Sequence, residues 1–337
     1  MNDLRPADDS RNDASDGVRV RRVDDRWREA VVRRLLAGRP QFDATVAQVL
    51  QEHESGLLPL NGLLVAERST VPPGSSAGWL GVAVYTLGRD GSANLWPPVA
   101  ESLAVRGRLL AAAIAAARSE GAGYVQLLAA PEGDDDPLFA RHLFAYTDLQ
   151  FLTLDASGLA MAATRLRSQF SKDLPSLHAR LFREEDREEW VRLLARSFDG
   201  SRDCPEICTL RTTEQALLSI ELTGHTSTSG WRAYGRAPGD SVEEAVGLAM
   251  ATHHQAVDVR ELAYIGVRPS ARRQGIARAM LLDVFTACLR DGCGALVVSV
   301  DCGNTPAVSL YRSLGFEFVE RQRVWLDVDL RSGRRPL

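Results

Sequence analysis

Apolar and polar positions alternate with two different periods along this chain of 337 residues. Short apolar runs typical of buried strands are separated by longer stretches in which apolar side chains recur every three or four positions, as on one face of a helix. The strongest helical pattern spans 274–291. Its apolar stripe consists of Ile276, Met280, Leu281, Val284, Phe285, Cys288 and Leu289. Gly292 and Gly294 follow the stripe, as expected at the end of a helix.

The same patterns predict further elements in the second half of the chain. Helices are predicted at 187–196 and 213–222. Strands are predicted at 177–182, 231–236, 245–252, 257–267 and 295–300. Because helices and strands alternate, the pattern predicts an α/β fold.

An internal repeat relates the two halves of the chain. Glu120 to Gly123 matches Asp291 to Gly294 at an offset of 171 residues (292 minus 121), and each segment follows a helical pattern and opens an apolar run. A second match, Tyr146 to Phe151 with Tyr311 to Phe316, has an offset of 165 (311 minus 146). Repeated supersecondary patterns of this length predict two tandem domains.

The chain length also suits two domains, each with enough apolar residues for a core. We predict a disordered tail at 1–17, a first domain at 18–155 and a second domain at 174–330. The segment 156–173 is polar and carries arginines, so we predict a linker there. A short tail at 331–337 completes the prediction.

Composition narrows the classes of partner. The net charge is −4 and the pI is about 5.9, so no polyanion-binding signature is present and we expect no nucleic-acid partner. The longest apolar run, 109–117, is too short to cross a bilayer, and we expect no membrane association. Five cysteines lack metal-ligand spacing with histidines, which predicts reduced thiols, no metal and a cytoplasmic location.

A basic turn with glycine joins a predicted strand to the 274–291 helix. It runs from Val267 to Ala277 and contains Arg272 and Arg273. The first N–H groups of a helix have no intrahelical partner and lie at the positive end of its dipole, so phosphates bind there. The glycine patterns of nucleotide-hydrolysing and dinucleotide-binding loops are both missing. The turn therefore predicts a different phosphate-containing ligand.

Two motifs together resemble the GNAT superfamily of acyl-CoA-dependent acyltransferases. The first is Arg272-x-x-Gly275-x-Ala277, and the second extends from Asn304 through Tyr311 to Phe316. The resemblance covers about 174–330. It implies a mixed, splayed β-sheet flanked by helices, with the cofactor between two diverging central strands. With the repeat, it predicts two tandem GNAT-like domains.

The resemblance also implies roles for individual residues. The pyrophosphate of acyl-CoA would bind at Arg272, Arg273, Gln274, Gly275, Ile276 and Ala277. A splay or bulge at Gly266 would leave the amides of Ile265 and Val267 free to bind the thioester carbonyl.

Three further side chains are candidates, each with an alternative. Tyr311 would protonate the leaving thiolate, or it would be a buried aromatic of the helix. Glu261 would act as general base, directly or through water, or it would be a solvated residue paired with Arg260 or Arg232. Asn304 would bind the pantetheine arm or cap its helix.

The first copy of the repeat has lost the basic turn. Opposite Arg272, Gly275 and Ala277 it carries Glu101, Ala104 and Arg106 at the offset of 171 residues. A carboxylate at this position disfavours a diphosphate. The amino-terminal copy is therefore expected to be degenerate and non-catalytic.

Taken together, the residues and the resemblance predict an N-acyltransferase that moves acetyl from acetyl-CoA to a primary amine in a ternary complex. The acceptor would be a small-molecule or a protein amine, recognised by the loop from Phe198 to Glu206. The acids of that loop, Asp199, Asp203 and Glu206, would suit a cationic amine or merely keep the loop soluble. The alternative function is a non-catalytic acyl-CoA sensor. Neither the acceptor nor the oligomeric state follows from the sequence.

Overall fold

The computed structural model describes residues 17–56, 58–70, 76–169, 174–205, 207–222, 228–254 and 258–328. The predicted tails, apart from Gly17, lie outside these ranges, as does Glu206 of the predicted acceptor loop. Within the described ranges, each helix falls short of the length and apolarity needed to span a membrane.

The amino-terminal half contains helices and strands between Val18 and Asp155. These are β1 (Val18–Arg22), α1 (Arg28–Leu36), α2 (Phe42–Glu54), β2 (Gly62–Arg68), β3 (Trp79–Leu87), β4 (Ser92–Leu95), β5 (Val99–Ala100), α3 (Leu103–Ser119), β6 (Tyr124–Ala129), α4 (Asp136–Phe139) and β7 (Phe144–Asp155).

The carboxyl-terminal half follows a similar order after one additional helix, with three helices instead of two after its first strand and three strands instead of four before its long helix. Its elements are α5 (Ala156–Gln169), β8 (His178–Leu181), α6 (Arg187–Phe198), α7 (Ile207–Leu210), α8 (Thr213–Leu222), β9 (Gly230–Gly235), β10 (Gly247–His254), β11 (Val259–Val267), α9 (Ile276–Arg290), β12 (Ala295–Asp301), α10 (Thr305–Ser313) and β13 (Glu317–Val328). Each element predicted for this half is present, with ends that differ by at most three residues.

The strands form one mixed sheet in the order β1-β2-β3-β4-β6-β13-β7-β12-β11-β10-β9-β8, and β5 pairs with β3. We call β1 to β6 with α1 to α4 the amino lobe, and β8 to β12 with α5 to α10 the carboxyl lobe. The last strand of each half crosses to the other lobe. β13 pairs with β6, and β7 pairs with β12 over seven residue pairs. The two-domain α/β architecture is confirmed, and the exchange of strands was not predicted.

Helix α9 lies in the core of the carboxyl lobe through its apolar stripe. Six of the seven predicted stripe residues are buried, whereas Leu289 is 37% exposed and Ala287 is buried instead. Each residue of an α-helix is rotated by 100° about the helix axis from the one before it. Leu289 follows the buried Cys288, and this rotation places its side chain beyond the edge of the apolar stripe.

The predicted linker contains a helix that belongs to the core. Over 156–169 the chain forms α5, whose buried residues have the i, i+3, i+4, i+7 spacing of a helix face: Leu159, Ala162, Ala163 and Leu166. They pack in the same cluster as α9. The arginines that suggested a linker lie on the exposed face, where Arg167 donates to Thr286 of α9 at 2.9 Å. Composition was misleading here because the charged face concealed an apolar one.

The structure confirms the first repeat match and corrects the second. Gly121 and Gly292 both adopt positive φ (96° and 68°) directly after α3 and α9. Tyr146, however, lies in β7, whereas Tyr311 lies in α10. Counted from the glycines or from the following strands, the counterpart of Tyr311 falls within 138–140, which reads Leu-Phe-Ala. None of these residues carries a hydroxyl group.

Candidate active site

Two neighbouring strands of the carboxyl lobe separate at the centre of the sheet. β11 and β12 pair in parallel only where Val259–Glu261 faces Ala295–Val297. Beyond that point β11 follows β10 as far as Val267, and β12 follows β7 as far as Asp301. The carboxyl ends of parallel strands where they diverge are a common ligand-binding position. The expected splay is therefore present.

The start of α9 faces this gap with unpaired backbone donors. Gly275 is the N-cap residue, its φ is 76°, and no side chain caps the helix. The first backbone bond accepted by Gly275 comes from Ala279, so the N–H groups of residues 276–278 have no intrahelical acceptor. Arg273 also has positive φ (64°) and turns the backbone before the helix. This geometry creates an anion site at the positive end of the helix dipole.

A cavity of about 700 Å³ lies against this helix start. Its lining comprises Arg202, Val267, Ala271, Arg272, Arg273, Gly275, Ile276, Ala277, Arg278, Thr305, Pro306, Ser309, Leu310 and Ser313. We call it the α9 cavity. It brings together the predicted residues of the basic turn, with Gln274 as the exception, and adds Arg202 and Arg278. Arg202 could not be predicted because it reaches the cavity from a loop distant in sequence.

The Arg272 side chain is partly buried and binds four backbone carbonyls. Its guanidinium donates to the carbonyl oxygens of Ser197 (3.1 Å), Asp199, Gly200 (3.2 Å) and Val267 (3.0 Å). Three of these acceptors lie at the end of α6. Arg273, by contrast, is exposed, and so is Gln274, whose amide donates to the carbonyl of Ser270 at 2.9 Å.

Asn304 caps helix α10. Its side chain accepts a hydrogen bond from the N–H of Ala307 at 3.4 Å, and its proximity lowers the pKa of Asp203. Of its two predicted roles, the cap is therefore present, and a role toward pantetheine stays a prediction.

Tyr311 is buried in α10, with its ring 5.2 Å from that of Phe316. Burial raises its pKa, and the negative charge of Asp203 raises it further. The phenol therefore keeps its proton at neutral pH, which is the form that a proton donor needs.

Glu261 is held by a histidine on the neighbouring strand. Its carboxylate lies 3.0 Å from Nε2 of His254, and this hydrogen bond raises the pKa of His254. The arginines proposed as its partners bind elsewhere: Arg260 contacts Asp291 at 3.0 Å, and Arg232 contacts Asp283 at 3.3 Å.

The predicted bulge at Gly266 is wrong in position. Gly266 pairs in register with Leu248, and the register shift of β10 and β11 lies between Met250 and Ala251. A side chain at 266 would collide with Tyr264 and Ser197, so glycine is required there by crowding. The register shift leaves Ala263 of β11 as the extra residue between Leu262 and Tyr264, just beyond Glu261, where the pairing with β12 ends.

A second cavity, of about 620 Å³, lies between the two lobes. We call it the inter-lobe cavity. The carboxyl lobe contributes Asp203, Cys204, Arg211, Ala263, Tyr264 and Ser299 among others, and the amino lobe contributes Thr86, Asp90, Ser92, Asn94, Tyr124 and Gln126 among others. An ion pair between Arg211 and Asp90, 3.4 Å apart, connects the lobes. Ala263 and Ser299 lie just beyond the last paired residues of β11 and β12, so this cavity reaches the splay.

The corresponding helix of the amino lobe starts differently. Ser102 caps α3, and its side chain accepts a hydrogen bond from the N–H of Val105 at 3.3 Å. When the two helices are aligned by their N-cap residues, Ser102 corresponds to Gly275. The offset of 171 residues in the sequence instead places Ala104 opposite Gly275, two positions later. The carboxylate of Glu101 lies beside this start, 3.5 Å from Arg34. The nearby cavity, of about 480 Å³, includes Glu101 in its lining.

Comparison with known proteins is consistent with this geometry. Residues 201–316, about a third of the chain, match the acetyltransferase (GNAT) family. A mycothiol acetyltransferase of Renibacterium salmoninarum is 38% identical over 63 residues, which cover 19% of this chain and 18% of that protein. The match thus spans less than a fifth of the length of that relative.

Two solved structures resemble nearly the whole chain. A GCN5-related N-acetyltransferase from Sphaerobacter thermophilus has a TM-score of 0.61 at 16% identity, covering 93% of this chain and 96% of its own. A tandem GNAT protein from the clavulanic acid biosynthesis pathway has a TM-score of 0.52 at 14% identity, covering 92% and 98%. At these identities the similarity shows the fold.

Proposed function

Because residues 201–316 match the GNAT family and the fold resembles that of a tandem GNAT protein, we propose that the chain is a GNAT acyltransferase that moves an acyl group from acyl-CoA to an amine. Acetyl-CoA and a primary amine are the proposed substrates. The observation that carries the proposal is the uncapped start of α9, which faces a cavity of about 700 Å³ beside the strand splay.

The proposed acyl-CoA site uses the backbone more than the side chains. The pyrophosphate would accept hydrogen bonds from the N–H groups of residues 276–278. Arg273, Arg278 and Arg202 line the same cavity and supply positive charge. The pantetheine arm would then pass along Val267 toward the splay, where the amides of Ile265 and Val267 are the proposed donors to the thioester carbonyl.

We place the acceptor in the inter-lobe cavity, on the opposite side of the splay. Ala263, Tyr264 and Ser299 line it at the strand ends. An amine bound there would reach the thioester through the gap, and the two substrates would meet in a ternary complex without an acyl-enzyme. The nitrogen would attack the thioester carbon, the C–N bond would form and the C–S bond would break. Tyr311 would protonate the departing sulfur.

A thiol-release assay tests this proposal. The purified chain is given acetyl-CoA with a panel of small-molecule amines, a peptide amine and the amine acceptor of the mycothiol acetyltransferases. We expect turnover with at least one amine. Tyr311→Phe should lower kcat by about 10² or more, because the thiolate would leave without its proton donor.

Tyr234→Phe is the matched control for that variant. Tyr234 is also a buried tyrosine of the carboxyl lobe, and its hydroxyl donates to Asp283 at 3.0 Å away from both cavities. Equal activity of Tyr311→Phe and wild type would remove Tyr311 from the mechanism. Tight binding of acetyl-CoA without turnover on any amine would contradict the proposed acyltransferase activity. It would favour the alternative function, a non-catalytic acyl-CoA sensor.

A further inference from the structure

One carboxylate lies between the two cavities. Asp203, in the loop between α6 and α7, lines the inter-lobe cavity, and its neighbour Arg202 lines the α9 cavity. The loop therefore forms the partition across which an amine and a thioester would have to approach each other. Glu261 lines neither cavity, and neither does Tyr311, which is buried in α10.

The backbone and side chains around Asp203 fix its position. Its Oδ1 accepts a hydrogen bond from the N–H of Asp301 at 3.0 Å, and its own N–H donates to the hydroxyl of Ser201 at 3.2 Å. Asp301 is itself held by Thr147 of the exchanged strand β7, at 2.9 Å. A carboxylate held in this way is pre-organised, which is a requirement for efficient proton transfer.

The neighbouring carboxylate is not available for the same task. Asp301 is 4% exposed, and its oxygens accept bonds from the N–H of Gly303 (2.7 Å) and of Cys204 (3.2 Å) as well as from Thr147. Asp203, in contrast, is half-buried and faces the cavity. The Cys204 thiol offers no alternative base, because burial strongly raises its pKa.

We propose that Asp203, and not Glu261, is the general base that takes the proton from the ammonium group of the acceptor. The inference rests on the proposed acyl-transfer function. The ammonium transfers one proton to Asp203, and the neutral amine attacks the thioester carbon. As the C–S bond breaks, Tyr311 gives its proton to sulfur and receives the second proton of the nitrogen. Asp203 releases its proton to water through the inter-lobe cavity.

The electrostatic surroundings suit this role. Burial raises the pKa of Asp203, and the negative charge of Asp301 adds to the rise, while the hydrogen bond from the Asp301 N–H and the proximity of Asn304 act in the opposite direction. Its charge in turn raises the pKa values of Tyr311 and Tyr264, which places both phenols within its electrostatic range. A raised pKa makes the ionised carboxylate a stronger base than an exposed aspartate.

The test is the pH dependence of kcat/KM for the full chain with acetyl-CoA and the best amine of the panel. Asp203→Asn should lower kcat/KM by about 10² to 10⁴ near neutral pH. The deficit should shrink as the pH approaches the pKa of the amine, about 10, because the free amine then needs no base. Affinity for CoA, measured by calorimetry, should stay unchanged.

Asp258→Asn is the matched control, since Asp258 is an exposed aspartate of the carboxyl lobe that lines neither cavity, and the substitution removes the same charge. It should retain activity within a few-fold of wild type. Glu261→Gln is the competing variant. An Asp203→Asn deficit that is equal at every pH, or a pH-dependent deficit in Glu261→Gln alone, would overturn the inference. Turnover by the wild-type chain establishes acyl transfer independently of these variants. Either result would therefore contradict the assignment of Asp203 as the base and leave the acyl-transfer function standing.

Discussion

At the residue scale, Arg272 connects the basic turn to the end of α6. The last carbonyls of a helix have no intrahelical donors and carry the negative end of its dipole. The guanidinium of Arg272 satisfies the carbonyls of Ser197, Asp199 and Gly200 and binds Val267 as well. It thereby positions the loop that carries Arg202 and Asp203. Within the described part of the chain Arg273 has no such acceptors, and it lies exposed at the α9 cavity.

These two neighbouring arginines should therefore respond differently to truncation. Arg272→Ala should lower the free energy of unfolding by about 2 kcal/mol, because several charge-assisted hydrogen bonds are lost. Arg273→Ala should change it by less than about 0.5 kcal/mol and should weaken acyl-CoA binding through lost charge. Thermal unfolding and calorimetry of both variants measure the difference. Equal destabilisation by the two substitutions would contradict the structural role of Arg272.

At the element scale, α9 and α3 occupy corresponding positions and differ at their first residue. Gly275 leaves the first N–H groups of α9 open, whereas the Ser102 side chain already binds one of those of α3. Glu101 adds negative charge beside the α3 start, which opposes a diphosphate. The amino lobe also lacks a hydroxyl at 138–140, opposite Tyr311. The helix cap and Glu101 both favour cofactor binding by the carboxyl lobe alone, and the missing hydroxyl leaves the amino lobe without a counterpart of Tyr311.

Calorimetry with acetyl-CoA should accordingly give one site per chain. Gly275→Asp should abolish binding, because its carboxylate would stand at the pyrophosphate position. Ala104→Asp introduces the same side chain in the first turn of α3, where an acid suits the helix dipole, and should leave binding unchanged. Circular dichroism checks that Gly275→Asp still folds, since φ at 275 is 76°. Two equivalent sites would refute a degenerate amino lobe.

At the scale of the whole molecule, the exchanged strands make the lobes interdependent. β12 is paired along Ala295–Asp301 with β7, which belongs to the first half of the chain. β7 also carries Leu152 and Leu154 into the core around α9. Removal of β7 would leave a central strand edge open and expose apolar surface, which favours aggregation.

A fragment of residues 156–328 should therefore lack cooperative unfolding and associate in solution. A fragment of residues 144–328 retains β7 and serves as the matched comparison, in which cooperative unfolding should return. Thermal denaturation and size-exclusion chromatography measure both properties. Cooperative unfolding of 156–328 at the same midpoint as 144–328 would contradict the structural role of the exchanged strand.

Local pattern was enough to predict most elements of the carboxyl lobe. The helix at 213–222 has the predicted bounds, and α9 starts two residues after its predicted start. These predictions succeeded because periodicity and helix-stop glycines act within a few residues. The match of Tyr146 with Tyr311 failed because residue identity over six positions does not distinguish a strand from a helix end.

The sequence by itself determined the α/β class, the repeat and the basic turn, since each depends on neighbouring residues and on the backbone geometry that they favour. Tertiary structure decided the exchange of β7 and β13, the side-chain partners of Arg272 and Glu261, and the position of Asp203 between two cavities. These features arise from segments up to about two hundred residues apart in the chain. Packing and hydrogen bonding bring them together, and no local pattern carries that information.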